Sequence, residues 1–270
     1  MTPAPLLQVH GLSKSYSRRS GLFRRVVQKA LDHVSFSLEA GETIALVGEA
    51  GSGKSTLAKI LAGVTQATSG EIRVDGQVMD EGNYQQRCKL IRMIFQDPNS
   101  SLNPSLRIGR ILEAPLILNS RLSPLERKHK VIDTLRMVGL LPEHALFYPQ
   151  MISAGQKQRV ALARALILSP RIIVADEAFS VLDVSMRAQI VNLLLKLQKN
   201  LGLSYVIVAN DLGLVRHMSD KVIIMHQGKV VETGPTEAVF SAPQQEITRR
   251  LIQSYEHEYR HAPEHRVAAD

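Results

Sequence analysis

Apolar residues along this chain fall into short blocks separated by glycine, proline and acidic residues. Thr43-Ile44-Ala45-Leu46-Val47 stops at Gly48, which predicts a buried strand running into a tight turn. Residues 55–62 then switch to a helical spacing closed by Gly63, a helix stop signal. Gly70-Glu71-Ile72-Arg73-Val74-Asp75-Gly76 reads as a short strand between turns, and residues 91–95 (IRMIF) as another, ending at Gln96. A Pro/Asn/Ser-rich loop follows over residues 97–104. From about Ile108 to Leu140 the pattern is helical, with expected breaks at Pro115 and Pro124. Three more buried strands follow. Ile172-Ile173-Val174-Ala175 ends in Asp176-Glu177, Tyr205-Val206-Ile207-Val208-Ala209 ends in Asn210-Asp211, and Lys221-Val222-Ile223-Ile224-Met225 precedes a hairpin turn near Gly228. The stretch 236–270 reads as a short helical tail with a frayed end.

Strands alternating with helices predict an α/β fold with a mainly parallel sheet and a helical insertion between about 97 and 165. No internal repeat is visible. The chain divides on this reading into an N-terminal part of the core (1–96), a helical subdomain (97–165), a C-terminal part of the core (166–235) and a tail (236–270).

Composition changes the picture only slightly. A chain of 270 residues that is 44% apolar and 21% charged can bury a core, so wholesale disorder is excluded. No apolar run approaches the ~18 residues of a membrane helix, and the N-terminus lacks the apolar region of a signal peptide. The single cysteine, Cys88 in a polar stretch, excludes an internal disulfide or a Cys-rich metal site. The net charge of +8 asks for an anionic partner: nucleic acid, a membrane surface or a phosphorylated ligand.

The turn at Gly48 selects the phosphorylated ligand. Gly48-Glu49-Ala50-Gly51-Ser52-Gly53-Lys54-Ser55-Thr56 fits G-x-x-x-x-G-K-[ST] between a strand and a helix. Glycines let backbone N–H groups wrap phosphate oxygens, and the helix N-terminus adds positive potential. Lys54 is expected to reach the β- and γ-phosphates and the Ser55 hydroxyl to ligate Mg²⁺. Asp176, at the end of its strand, is expected to hold Mg²⁺, and Glu177 to orient or deprotonate the attacking water.

Between these features lies Ile152-Ser153-Ala154-Gly155-Gln156-Lys157-Gln158-Arg159, followed by VALARAL and then the Asp-Glu strand. This order resembles the ATP-binding subunits of ABC transporters over nearly the whole chain, with ISAGQ where the family writes an LSGGQ-like signature. The resemblance implies a P-loop NTPase fold: an ABC ATPase cassette with a RecA-like core, an N-terminal antiparallel β portion and a helical subdomain. It implies ATP and Mg²⁺ as ligands, hydrolysis of the β–γ bond, and two nucleotides sandwiched between facing subunits. Ser153, Ala154, Gly155 and Gln156 would then face the nucleotide of the opposite subunit. Tyr16 matches the aromatic that stacks on adenine, a contact of ~1–3 kcal/mol. Gln96 matches the loop glutamine that contacts Mg²⁺ and water and links to the membrane subunit. Asp183, in Ser180-Val181-Leu182-Asp183, matches the aspartate that crosses the dimer interface.

The run FQDPNSSLNP is similar to oligopeptide- and dipeptide-type transporter ATPases, and within these to the Sap-type subunits linked with peptides, antimicrobial peptides and polyamines. Implied partners are a paired ATP-binding subunit, in a hetero- or homodimer, two membrane-spanning permease subunits and an extracytoplasmic substrate-binding protein. The implied place is the cytoplasmic face of the inner membrane, peripherally bound, and no nucleic acid is expected. The two alternatives are a weakly hydrolysing regulatory subunit and a soluble cassette acting on nucleic acid or the ribosome. The latter usually carries two cassettes, coiled coils or zinc modules, none of which is visible here.

Two positions depart from the family pattern. Asn210 stands where a switch histidine is usual, so it can hydrogen-bond but cannot become a cation. Ala154 stands where the signature has glycine, and its methyl group crowds a backbone that must approach phosphate. Two further features carry less. Lys14, Arg18, Arg19, Arg24, Arg25 and Lys29 read as a solvated basic loop, with anionic lipid as the rival reading. His257, His261 and His265 recur every four residues, but Pro263 interrupts the helix and no ligand set is complete.

Overall fold

The computed structural model describes residues 4–20, 24–79, 84–97, 101–180 and 182–261. Its centre is a sheet of order β10-β9-β3-β8-β7-β6. Strands β3 (Thr43–Val47), β6 (Ile91–Ile94), β7 (Ile172–Asp176), β8 (Ser204–Val208) and β9 (Lys221–His226) run parallel, and β10 (Lys229–Pro235) closes the edge antiparallel. These strands are continuous apolar runs because helices and a second sheet cover both faces. Successive residues therefore serve two cores. Ile44, Leu46, Ile172, Val174, Val206, Val208, Ile223 and Met225 pack toward the N-terminal sheet. Ala45, Val47, Ile173, Ala175, Tyr205, Ile207, Val222 and Ile224 pack toward the helical part.

The N-terminal sheet is antiparallel, in the order β2-β1-β4-β5. It comprises β1 (Leu7–Ser20), β2 (Arg24–Leu38), β4 (Ser69–Val74) and β5 (Gln77–Val78). Helix α1 (Lys54–Leu61) lies between the sheets and buries Leu57, Ala58, Ile60 and Leu61. Helix α2 (Tyr84–Leu90) leads into β6 and carries Cys88, which is buried despite its polar sequence neighbours.

Helices α3 (Ile108–Asn119) and α4 (Pro124–Met137), two 3₁₀ turns (Pro142–Leu146 and Pro149–Met151) and α5 (Ala154–Leu166) form the helical part. Pro124 starts α4 behind the N-cap Ser123 and its capping box with Glu126. Pro115 does not break α3, contrary to the sequence expectation. Proline removes one helical hydrogen bond, but Ile111, Leu112 and Leu116 are all buried and hold the segment on the core. The rest comprises α6 (Val184–Leu201), α7 (Leu212–Met218), α8 (Thr236–Ser241) and α9 (Glu246–His261).

Two more expectations need correction. The basic segment 14–29 is not a loop: its described residues are the paired ends of β1 and β2, with Arg18 opposite Val26 and Arg19 opposite Arg25. Alternation there is polar on both faces, so hydrophobic periodicity gave no strand signal. The tail is also more than a frayed end. Leu251, Ile252 and Tyr255 of α9 pack against the larger core. His257 and His261 fall within this helix, while Pro263 and His265 lie outside the described residues. Among the described residues no helix is long and apolar enough to cross a membrane.

Candidate active site

The loop after β3 takes its shape from glycine. Gly48 has φ +152° and Gly53 has φ +105°. A Cβ on Gly48 would lie 2.1 Å from the Met225 carbonyl oxygen, and one on Gly53 would lie 2.6 Å from that of Ala30. At these two positions the loop is pressed against β9 and β2 with no room for a Cβ. A cavity of about 510 Å³ opens beside it, lined by residues 50–56 (Ala50 to Thr56), Gln28–Ala30 of β2, Glu177 and Gln227. Tyr16 is exposed and stands opposite Gln28 in the β1–β2 register, with the Lys14 ammonium 5.0 Å from its ring centre.

Lys54 begins α1 and is buried. Its ammonium donates to the Gly48 and Glu49 carbonyls at 2.6 and 2.9 Å. Burial pulls this amine below its usual range, opposed by the charges of Glu177 and Asp176. The next residue, Ser55, donates its hydroxyl to Asp176 Oδ1 at 2.8 Å. Asp176 ends β7 and is buried, which raises its carboxyl above the ordinary value, opposed by the Ser55 hydrogen bond and by Lys59. The Ser55 hydroxyl and the Asp176 carboxylate are hard oxygen ligands of the kind Mg²⁺ takes, while the backbone N–H groups of the loop suit phosphate oxygens. Mg²⁺ takes one or two protein oxygens and fills its octahedron with water and phosphate, and this donor set fits that pattern.

Glu177 turns out of β7 in the left-handed region, φ +48°, with its N–H on the Val208 carbonyl at 3.1 Å. That turn swings the side chain toward the loop. Gln96, two residues after β6, donates Nε2 to Glu177 Oε2 at 3.1 Å. Asn210, two residues after β8, donates Nδ2 to Oε1 at 3.0 Å. The ends of three parallel strands thereby converge on one carboxylate, at the carboxyl edge where open α/β sheets bind ligands. Behind it lies a second cavity of about 350 Å³, lined in part by Gly48, Lys54, Glu177, Asn210, Leu251 and Tyr255.

The structure brings together residues 48–56, Gln96, Asp176, Glu177 and Asn210. It places Ser153, Ala154, Gly155, Gln156 and Asp183 elsewhere, outside the lining of both cavities. Ser153 caps α5: its hydroxyl accepts from the Gln156 N–H at 3.3 Å, and Gln156 Oε1 accepts from the Ser153 N–H at 3.0 Å. Ala154 is exposed at the first turn. A Cβ on Gly155 would lie 2.9 Å from Met186 Sδ of α6, the flexible end of a side chain that can move aside. Asp183 is exposed and caps α6, accepting from the Met186 N–H at 2.8 Å. Val181 lies outside the described residues.

Four residues that motif reading missed hold these groups in place. His144 is buried, with Nε2 3.2 Å from Gln156 Nε2. The Ser153 N–H donates to Gln156 Oε1, and at the far side of the imidazole the Leu141 N–H donates to His144 Nδ1 at 3.0 Å. Asp211, Arg187 and Tyr255 form a second group beside Asn210. Only Asp211, the N-cap of α7, left a sequence signal, an acid next to the apolar run that follows Asn210.

A glycine loop between strand and helix, an aspartate at a neighbouring strand end and a clamped glutamate define a P-loop ATPase cassette. Residues 31–180 match the ABC transporter family. The putrescine export system ATP-binding protein SapF of Escherichia coli K12 is 53% identical over 247 residues, covering 92% of each chain. The dipeptide transport ATP-binding protein DppF of Haemophilus influenzae is 48% identical over 252 residues, 92% of this chain and 77% of that protein. The dimeric post-hydrolysis structure of the cassette MJ0796, bound to ADP and Pi, superposes with TM-score 0.74 at 30% identity, over 85% of this chain and 98% of that one. This chain belongs to the ABC transporter family, as an ATP-binding, ATP-hydrolysing cassette.

Proposed function

We propose that this chain binds MgATP on the Gly48–Thr56 loop and hydrolyses it at Glu177, powering movement of peptides or polyamines through separate permease chains. The observation that carries the reading is Glu177 held between Gln96 and Asn210 beside Lys54. Both cargo classes appear in the names of similar proteins, and both carry protonated amines.

Loop N–H groups and the Lys54 ammonium hold the β- and γ-phosphates, with Lys54 leaving its carbonyl partners for phosphate oxygens. Ser55, Asp176 and Gln96 would hold Mg²⁺, which when bound withdraws charge from the phosphates. Glu177 takes the proton of the attacking water, and Asn210 holds Glu177 and donates to the γ-phosphate. Tyr16 stacks on the adenine. Ser153, Ala154 and Asp183 are exposed, and with the half-buried Gly155 and Gln156 they serve the nucleotide of a paired subunit. Residues 1–96 and 166–235 act as the ATPase core, 97–165 as the helical subdomain that meets the permease with Gln96, and 236–270 as a tail.

The working assembly is two cassettes, two permeases and an extracytoplasmic binding protein, with this chain peripheral on the cytoplasmic face of the inner membrane. One observation favours a second reading, a slow regulatory site. Asn210 cannot become a cation, and in this geometry one of its two amide N–H donors is taken by Glu177. Purifying the tagged full-length chain from its native membrane and measuring MgATP turnover tests the proposal. Permeases, a second cassette and turnover are expected. Recovery of the chain with ribosomes or nucleic acid instead would contradict it.

A further inference from the structure

Asp211 follows Asn210 directly, and three elements meet on its carboxylate. Oδ1 accepts from the Leu214 N–H at 3.0 Å, capping α7, and from Tyr255 Oη of α9 at 3.1 Å. Oδ2 pairs with Arg187 Nη1 of α6 at 2.5 Å, and Nη2 of the same arginine donates to the Leu182 carbonyl at 3.2 Å. Tyr255 Oη in turn accepts from the Gly213 N–H at 3.0 Å. The hydroxyl therefore uses its donor and an acceptor position on the same turn. The fit is close: a Cβ on Gly213 would come 2.6 Å from Oη. The same helix face, Leu251, Ser254 and Tyr255, lines the 350 Å³ cavity shared with Lys54, Glu177 and Asn210.

The consequence concerns Asn210. Its amide must stay within hydrogen-bond reach of Glu177, and its backbone runs past the end of β8 between the Ala209 N–H, held by the Leu46 carbonyl, and the Asp211 carbonyl, which accepts from the Val215 N–H. The grip on the Asp211 carboxylate adds to what orients the 210–211 backbone. A charged group with several partners in a partly buried network is strongly fixed, and removal of one partner loosens the rest.

We propose that Tyr255 is a positioning residue for hydrolysis, acting through Asp211 on the Asn210–Glu177 contact. The C-terminal helix is then a clamp on the hydrolytic turn, and the Arg187–Leu182 link ties the same turn to the segment ending in Asp183. This rests on the reading of Glu177 and Asn210 as hydrolytic groups.

The test is a double-mutant cycle in the full-length chain, assembled in its membrane complex with the partner cassette's own catalytic carboxylate removed. Tyr255→Phe keeps the ring and deletes only the hydroxyl. Its kcat should fall about tenfold with KM for ATP unchanged and with the thermal midpoint within a degree or two. In the Asn210→Ala background Tyr255→Phe should have no further effect on the residual single-turnover rate. A purely structural hydroxyl would lower stability and slow both backgrounds equally, which would overturn the proposal, as would a wild-type kcat. Glu177→Gln is the control for the underlying reading: if it hydrolyses normally, that reading fails, whereas loss there with a null Tyr255→Phe removes only the clamp.

Discussion

Asn210 Nδ2 and Glu177 Oε1 lie 3.0 Å apart, and the amide can only donate across that gap. The other oxygen of the same carboxylate accepts from Gln96. Two neutral amides therefore hold the carboxylate in place, and neither can become a cation. Asn210→His is therefore expected to raise single-turnover hydrolysis about tenfold, because the imidazole can carry developing charge. Asn210→Ala should lower it by a similar factor while leaving ATP affinity alone. An unchanged rate in Asn210→His would remove the account of a slow site.

Asp176 should show a conflict between stability and function. Burial raises its carboxyl above the ordinary 3.8. Between 3.8 and that higher value the folded chain keeps a proton that the unfolded chain has lost, so stability falls as pH rises through this window. At neutral pH the charge is a net cost. Asp176→Asn should thus raise the nucleotide-free unfolding temperature by roughly a few degrees at pH 7, with the gain vanishing below 3.8. The same variant should lose the Mg²⁺ dependence of ATP binding. Thermal melts at two pH values with nucleotide titrations read both effects.

Gly48→Ala should fail for a steric reason. Its new methyl would meet the Met225 carbonyl 2.1 Å away, on a backbone already in the left-handed half of conformational space. We expect a loss of roughly 2–4 kcal/mol in a denaturant titration. Ser52→Ala provides the contrast. Among the described residues its buried hydroxyl has no hydrogen-bond partner, so its loss should change stability little.

His144 predicts a graded series at the signature. His144→Leu removes the polar partner of the Gln156 side chain, a cost of about 1–3 kcal/mol. Turnover of the assembled complex should fall, while ATP affinity of this chain's own loop stays unchanged. His144→Asn, which can still hydrogen-bond, should recover part of the loss. Equal loss in both variants would assign His144 to packing alone.

The sequence exposed the phosphate loop and the central strands because each is a local pattern, apolar residues closed by Gly48, Asp176 or Asn210. It did not expose the β1–β2 ends, where Arg18, Arg19, Arg24 and Arg25 break the alternation that marks a strand. Pro115 misled because helix propensity is local, whereas the burial of Leu112 and Leu116 that holds α3 is tertiary. Tyr255 and Asp211 meet across 44 residues of chain with no motif to announce them. His144 is similar: it meets Gln156 across 12 residues of chain with no motif to announce the pair.

The most direct test of the central claim is single-turnover ATP hydrolysis by the membrane-assembled full-length chain, with the partner's catalytic carboxylate removed. Comparing wild type with Glu177→Gln, the account predicts a loss of about 100-fold or more in rate with ATP bound at wild-type affinity. Hydrolysis by Glu177→Gln at the wild-type rate would contradict it.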